Sequence, residues 1–153
     1  LLRPQMDSVN MVNAPVVAKE RNIDVSEVRH ERPGDYQTLI RVGVTANGTL
    51  QQVSGTLFAD QRPRVVEVQG IKVEAELGPH MLLVRNADKP GFIGRLGTVL
   101  GDAEINIATF HLGRTAPGQD ALALVEVDTE VPEAILSKIR KLPSVLQAKA
   151  LRF

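Results

Sequence analysis

The feature that most constrains this chain is the alternation of two apolar periods between residues 80 and 153. Residues 81–84 form an apolar run of strand length, and Asn86-Ala87-Asp88-Lys89 breaks it with turn-forming side chains. Pro90-Gly91 then opens a helix, because proline's fixed φ and missing N–H are tolerated in a first helical turn. Ile93, Leu96, Val99, Leu100 and Ala103 recur at helical spacing and give that helix one apolar face. A strand follows as far as Leu112, then a Pro-Gly loop over 113–119, and a strand over 120–127 with Ala121, Ala123, Val125 and Val127 on one side. Pro132 begins a second helix with an apolar face of Ile135, Leu136, Ile139 and Leu142, and residues 145–153 read as a last strand. The order is β-α-β-β-α-β. That predicts a ferredoxin-like fold, a four-stranded antiparallel sheet with two helices on one face.

The first of these helices carries Gly91, Gly94, Gly97 and Gly101, and glycine loses more backbone freedom in a helix than alanine does. So many small residues imply that a sheet, a partner subunit or a ligand approaches the helix backbone.

Upstream, residues 5–22 have helix-compatible spacing interrupted by Pro15; Ala14 to Arg21 reads as a helix that Asn22 could end. Pro33-Gly34-Asp35 marks a turn. From Thr38 the period changes to two, with strands over 39–45, 49–59, 64–68 and 71–77. Asn47-Gly48 and Gln69-Gly70 join them, and Asn-Gly between β-rich runs is a strong hairpin signal because both residues tolerate positive φ. The fold class is therefore α+β: an antiparallel meander with helical material before it, over residues 1–78, and the ferredoxin-like domain over 79–153, divided at Gly78-Pro79.

Among 153 residues, 18 basic and 18 acidic side chains balance, and only four Phe and one Tyr are aromatic. That argues against a nucleic-acid partner, which needs a phosphate-tracking surface or stacking platforms. No apolar run is long enough to span a bilayer, and the absence of cysteine suits a reducing cytosol, so a cytoplasmic location without a membrane partner is expected.

No catalytic residue emerges. His30, His80 and His111 lack metal-ligand spacing, and Ser8, Ser26, Ser54 and Ser137 lack a nucleophile-elbow context. Gly91, Gly94 and Gly97 are not followed by the Lys-Ser of a phosphate loop. Arg62, Arg64 and Lys72 are candidates for an anion site, against the plainer alternative of a solvated strand face with edge-protecting charges. The break between the first strand and its helix offers more. A helix start attracts anions, and Asn86 and Asp88 stand just before it. An ammonium could meet Asp88 while a carboxylate meets the amides of Gly91, Phe92 and Ile93, the complement of a free amino acid. Asn106, at the start of the next strand, offers both a donor and an acceptor. Plain turn chemistry is the competing account of Asn-x-Asp.

The run DKPGFIGRLGTVLGDAEINIATFHLGR resembles the ACT domain, a small ferredoxin-like module that binds amino acids and regulates metabolic enzymes. MDSVNMVNAPVVAKERN and SGTLFADQRPRVVEVQGIKVEAEL resemble the intervening, allosteric substrate-binding domain of bacterial D-3-phosphoglycerate dehydrogenases. The resemblance covers essentially the whole chain. It implies a C-terminal regulatory part, with neither active site nor cofactor of its own, of an NAD-dependent enzyme of serine synthesis. It further implies L-serine as feedback inhibitor, bound between self-associated ACT domains by Asn86 and Asp88 of one subunit and Asn106 of the other. Relatives often carry histidine or tyrosine at the position of Asn86, and Glu76 stands where a cation was expected in the intervening domain. The chain also begins without methionine, as if cut from a longer protein whose catalytic domain is its covalent partner. Two other roles are similar enough to weigh: a purely structural oligomerisation module, and the beta part of an L-serine dehydratase.

Overall fold

Two tight turns set the first sheet. Asn47 and Gly48 take φ of 50° and 74°, and Gln69 and Gly70 take 52° and 80°. This left-handed pair matches the twist of the strands it joins. The computed structural model describes residues 8–28, 36 and 38–153; Met6, His30 and the Pro33-Gly34-Asp35 turn lie outside them. Strands β1 (Ile40–Ala46), β2 (Thr49–Leu57), β3 (Pro63–Val68) and β4 (Ile71–Glu76) pair antiparallel in the order β1-β2-β3-β4. A register shift at Ser54/Gly55 and another between Val65 and Glu67 interrupt the ladders. The second of them brings Arg64 opposite Glu76.

The second sheet comprises β5 (His80–Ala87), β6 (Ile107–Arg114), β7 (Asp120–Val127) and β8 (Val145–Arg152), all antiparallel in the order β6-β7-β5-β8. Helices α2 (Phe92–Gly101) and α3 (Glu133–Arg140) connect β5 to β6 and β7 to β8. This is the expected ferredoxin-like arrangement in an α+β chain. One core lies between the helices and this sheet, with Leu82, Val84, Phe92, Leu96, Leu100, Ala123, Val125, Leu136 and Ile139 buried together. The apolar stripe of α2 is rotated from the expected one. Phe92 is 3% exposed and Ile93 is 53% exposed, because both fit the helical period and only one can face the sheet.

The other face of the second sheet is covered as well. Val65, Val68, Ile71, Val73 and Ala75 of β3 and β4 pack on Met81, Leu122 and Leu124. This explains why Leu122 and Leu124 are as buried as the alternating Ala121, Ala123 and Val125. Gly113, expected in a loop, belongs instead to β6, where a Cβ would lie 2.1 Å from the Lys72 carbonyl oxygen of β4.

The described residues fall into two compact units, Leu1–Gly34 and Asp35–Phe153. Both sheets belong to the second. In the first, α1 (Ala14–Glu20) begins beside Pro15, which therefore starts the helix rather than interrupting one. Asn22, at φ 54°, follows its end.

Candidate functional site

Strand β5 runs two residues further than its turn-forming sequence suggests, because its neighbours hold the backbone in the ladder. Asn86 pairs with Ala121 on one side and Val145 on the other, and the Ala87 N–H donates to the Ser144 carbonyl at 2.8 Å. Asn86 is consequently buried, at 1% exposure. Its Nδ2 donates to the Ala87 carbonyl at 2.9 Å, whereas its Oδ1 is buried without a partner. A buried, unmatched carboxamide oxygen costs about 1–3 kcal/mol unless something donates to it.

The chain leaves the sheet at Asp88, whose N–H donates to the Gln119 carbonyl at 2.6 Å. Gly91 then turns it into α2 at φ 84°, a left-handed conformation that disfavours a side chain; an added Cβ would also lie 2.7 Å from Arg95 Nη1. The helix thus begins at Phe92, two residues after Pro90, where the sequence places its opening. Gly94, Gly97 and Gly101 meet nothing within 4 Å of an added Cβ. Of the three approaches that the glycines imply, the sheet is therefore not the one they accommodate.

Residues 86 and 88–94, with Leu112, Arg114 and Gly118, line a cavity of about 470 Å³ at this helix start, and Lys89 and Arg114 are its cationic members. The phenyl group of Phe92 faces the core, so its contribution is backbone. Asp88 Oδ2 accepts from Arg114 Nη1 at 2.9 Å and from the Gly118 N–H at 3.0 Å. The Gly118 N–H, then the Arg114 guanidinium, hold the Asp88 carboxyl below the ordinary carboxylate range, with partial burial opposing them. Both bonds fall on one oxygen, leaving Oδ1 available to a further donor. Arg114 and Gly118 were not anticipated from the sequence; they lie 26 and 30 residues from Asp88, and the only signal was a cation and a glycine within the expected Pro-Gly loop.

The structure brings Asn86, Asp88, Gly91, Phe92 and Ile93 together. Asn106 stands apart from them within the chain, where its Nδ2 donates to Asp128 Oδ2 at 2.8 Å. It precedes β6, whereas Arg114 ends that strand. Of the candidate anion residues, Arg62 and Arg64 meet carboxylates of their own chain. Arg64 contacts Asp60 at 2.8 Å, Glu76 at 3.1 Å and Glu74 at 3.5 Å, with its guanidinium 4.4 Å over the Phe58 ring. Arg62 lies 3.5 Å from Glu76, and Lys72 is paired in register with Glu67, away from both arginines. Among the described residues there is no cluster of three or more metal-ligating side chains, and no helix is long and apolar enough to cross a membrane.

Comparison with known families matches both parts of the chain. Residues 80–144, from the first residue of β5 to the residue before β8, match the ACT domain. The chain contains an ACT domain. Ahead of that ACT domain, residues 1–69 match the D-3-phosphoglycerate dehydrogenase intervening domain. Similar curated proteins carry the same enzyme name. The D-3-phosphoglycerate dehydrogenase of Bacillus subtilis is 34% identical over 149 residues, 97% of this chain and 28% of that protein. That of Methanocaldococcus jannaschii is 33% identical over 137 residues, 90% of this chain and 26% of its own length. The chloroplastic D-3-phosphoglycerate dehydrogenase 3 of Arabidopsis thaliana is 30% identical over 149 residues, 90% of this chain and 25% of that protein. The chain thus spans about a quarter of the length of these relatives.

Proposed function

We propose that this chain is a regulatory part of a D-3-phosphoglycerate dehydrogenase, an NAD-dependent enzyme, and that its ACT domain binds L-serine as a feedback signal. The observation that carries this reading is the unpartnered Asn86 Oδ1 beside the Asp88 carboxylate in the cavity before α2. Two acceptors, one charged, suit an ammonium group, while the first turn of α2 suits a carboxylate. The intervening domain over 1–78 and the ACT domain over 79–153 then divide at Gly78.

Self-association supplies the missing member of the site. Among the described residues strand β6 is an edge of its sheet, with an open ladder on one side. Antiparallel pairing of two such edges runs the start of one strand alongside the end of the other. Asn106 of a second copy is thereby carried toward the Arg114 end, where Asp88 waits. The signal then reaches the catalytic part of the enzyme as a shift between two assembled states, worth typically about 1–3 kcal/mol.

Calorimetric titration of the chain with L-serine tests this. Saturable binding, one ligand per Asn86–Asp88 cavity, is expected. A chain that self-associates yet takes up no L-serine at millimolar concentration would favour the assembly-only role.

A further inference from the structure

Two cations line the cavity before α2, the exposed Lys89 and Arg114; Arg114 is the one fixed by a bond across the site, and the amino-acid reading assigns it no task. Arg114 is not a free surface side chain. Its Nη1 is held 2.9 Å from Asp88 Oδ2, and that same oxygen is held by the Gly118 N–H at 3.0 Å. The loop between β6 and β7 is closed on itself by the Thr115 N–H to the Asp120 carbonyl at 3.0 Å and the Gln119 N–H to the Ala116 carbonyl at 3.1 Å. A bond from the Asp88 N–H to the Gln119 carbonyl ties the loop to the site. The guanidinium therefore stands at the cavity wall, anchored through one nitrogen, with Nε and Nη2 still able to donate.

We infer that Arg114 is the specificity-determining residue of this cavity, taking the ligand's carboxylate while Asp88 Oδ1 and Asn86 Oδ1 take its ammonium. The inference rests on the proposed amino-acid site and adds to the amides of the first turn of α2 a charged side chain that recognises the acid end. Asp88 and Arg114 already compensate one another, and Lys89 at the rim is exposed to solvent, so a neutral zwitterion enters without disturbing the charge balance of the pair. A bare amine would put a second cation beside Arg114, and a bare acid would put a second anion beside Asp88. A planar guanidinium also matches the two oxygens of a carboxylate, which a lysine ammonium does not. The cavity is thereby built for α-amino acids and against either half of one.

Calorimetry with L-serine and with ethanolamine, which is serine without its carboxylate, tests the assignment on the whole chain. Arg114 is 53% exposed at a strand end, so Arg114→Gln removes the charge without opening a core. The parent chain is expected to prefer L-serine over ethanolamine by at least about 10-fold, the worth of one charge-assisted pair. Arg114→Gln is expected to weaken L-serine by about 10- to 100-fold while leaving ethanolamine within about 3-fold, and Arg114→Lys to recover part of the loss. Unchanged L-serine affinity in Arg114→Gln, with the parent binding normally, overturns the inference and leaves the amino-acid site standing. So does an equal loss for both ligands, which would mean that Arg114 acts only by holding Asp88. A parent chain that binds neither compound brings down the amino-acid reading and this inference together.

Discussion

Replacing Asp88 by alanine is expected to reduce L-serine affinity by about 10- to 100-fold or more, because the variant removes the charged acceptor for the ammonium. It also frees Arg114, which then attracts the ligand's carboxylate without a counter-charge for its amine. The fold should survive, since Asp88 contributes two bonds at the surface and no core packing. Its effect on stability should depend on pH in one direction. The carboxyl is held below its ordinary range by Gly118 and Arg114, so its contribution is present above the unfolded value of about 3.9 and is lost as pH falls through the lower folded value. The difference in thermal midpoint between parent and Asp88→Ala should therefore stay constant from neutral pH to about pH 4 and shrink below it. A difference that vanishes well above that point would mean that the clasp between Asp88 and Arg114 does not form.

The largest effect on stability is expected at Gly113. An alanine there would place its Cβ 2.1 Å from the Lys72 carbonyl oxygen and 3.0 Å from Ile71 Cγ2. The first obstacle is backbone, so relief requires β4 to move off β6, and with it the packing of Ile71 and Val73 on the second sheet. Overpacking of this kind costs typically about 1–3 kcal/mol, and more where backbone must shift. Gly97→Ala is the internal control. Beyond its own helical turns, no atom of the described residues lies within 4 Å of its added Cβ, and alanine in place of a helical glycine stabilises by about 0.5–1 kcal/mol. Chemical denaturation of the two variants should show opposite shifts in midpoint. A Gly113→Ala chain as stable as the parent would mean that the two sheets do not pack as described.

Much of the fold is legible because local chemistry and period agree. Asn47-Gly48 turns where its positive φ requires, and Leu96 and Leu100 fall on the core face that the helical spacing assigns them. The departures share a cause: they depend on contacts remote in sequence. Asn86 carries a turn-former's side chain yet stays in the sheet because β7 and β8 flank it. Phe92 and Ile93 are adjacent and both apolar, so period alone cannot decide which is buried. Packing of one sheet on the other is written in Leu122 and Leu124, apolar residues on the face that a single alternating pattern leaves out. The candidate site was legible as far as its near-sequence members, Asn86 through Ile93. Arg114 and Gly118 enter through a loop that folds back onto Asp88, and no spacing rule joins positions 26 and 30 residues apart. The pairing of Arg64 with Glu76 was hidden for a similar reason, since a register shift separates that pair from the hairpin turn.

An amino acid is expected to bind in the cavity between the end of β5 and the start of α2. Amide chemical shifts of the chain, recorded during titration with L-serine, test it at the residues themselves. The account predicts saturable shifts at Asp88, Gly91, Ile93, Gly94 and Gly118, with the four strands from Ile40 to Glu76 largely unmoved. Shifts confined to those four strands, or none at saturating L-serine, would contradict it.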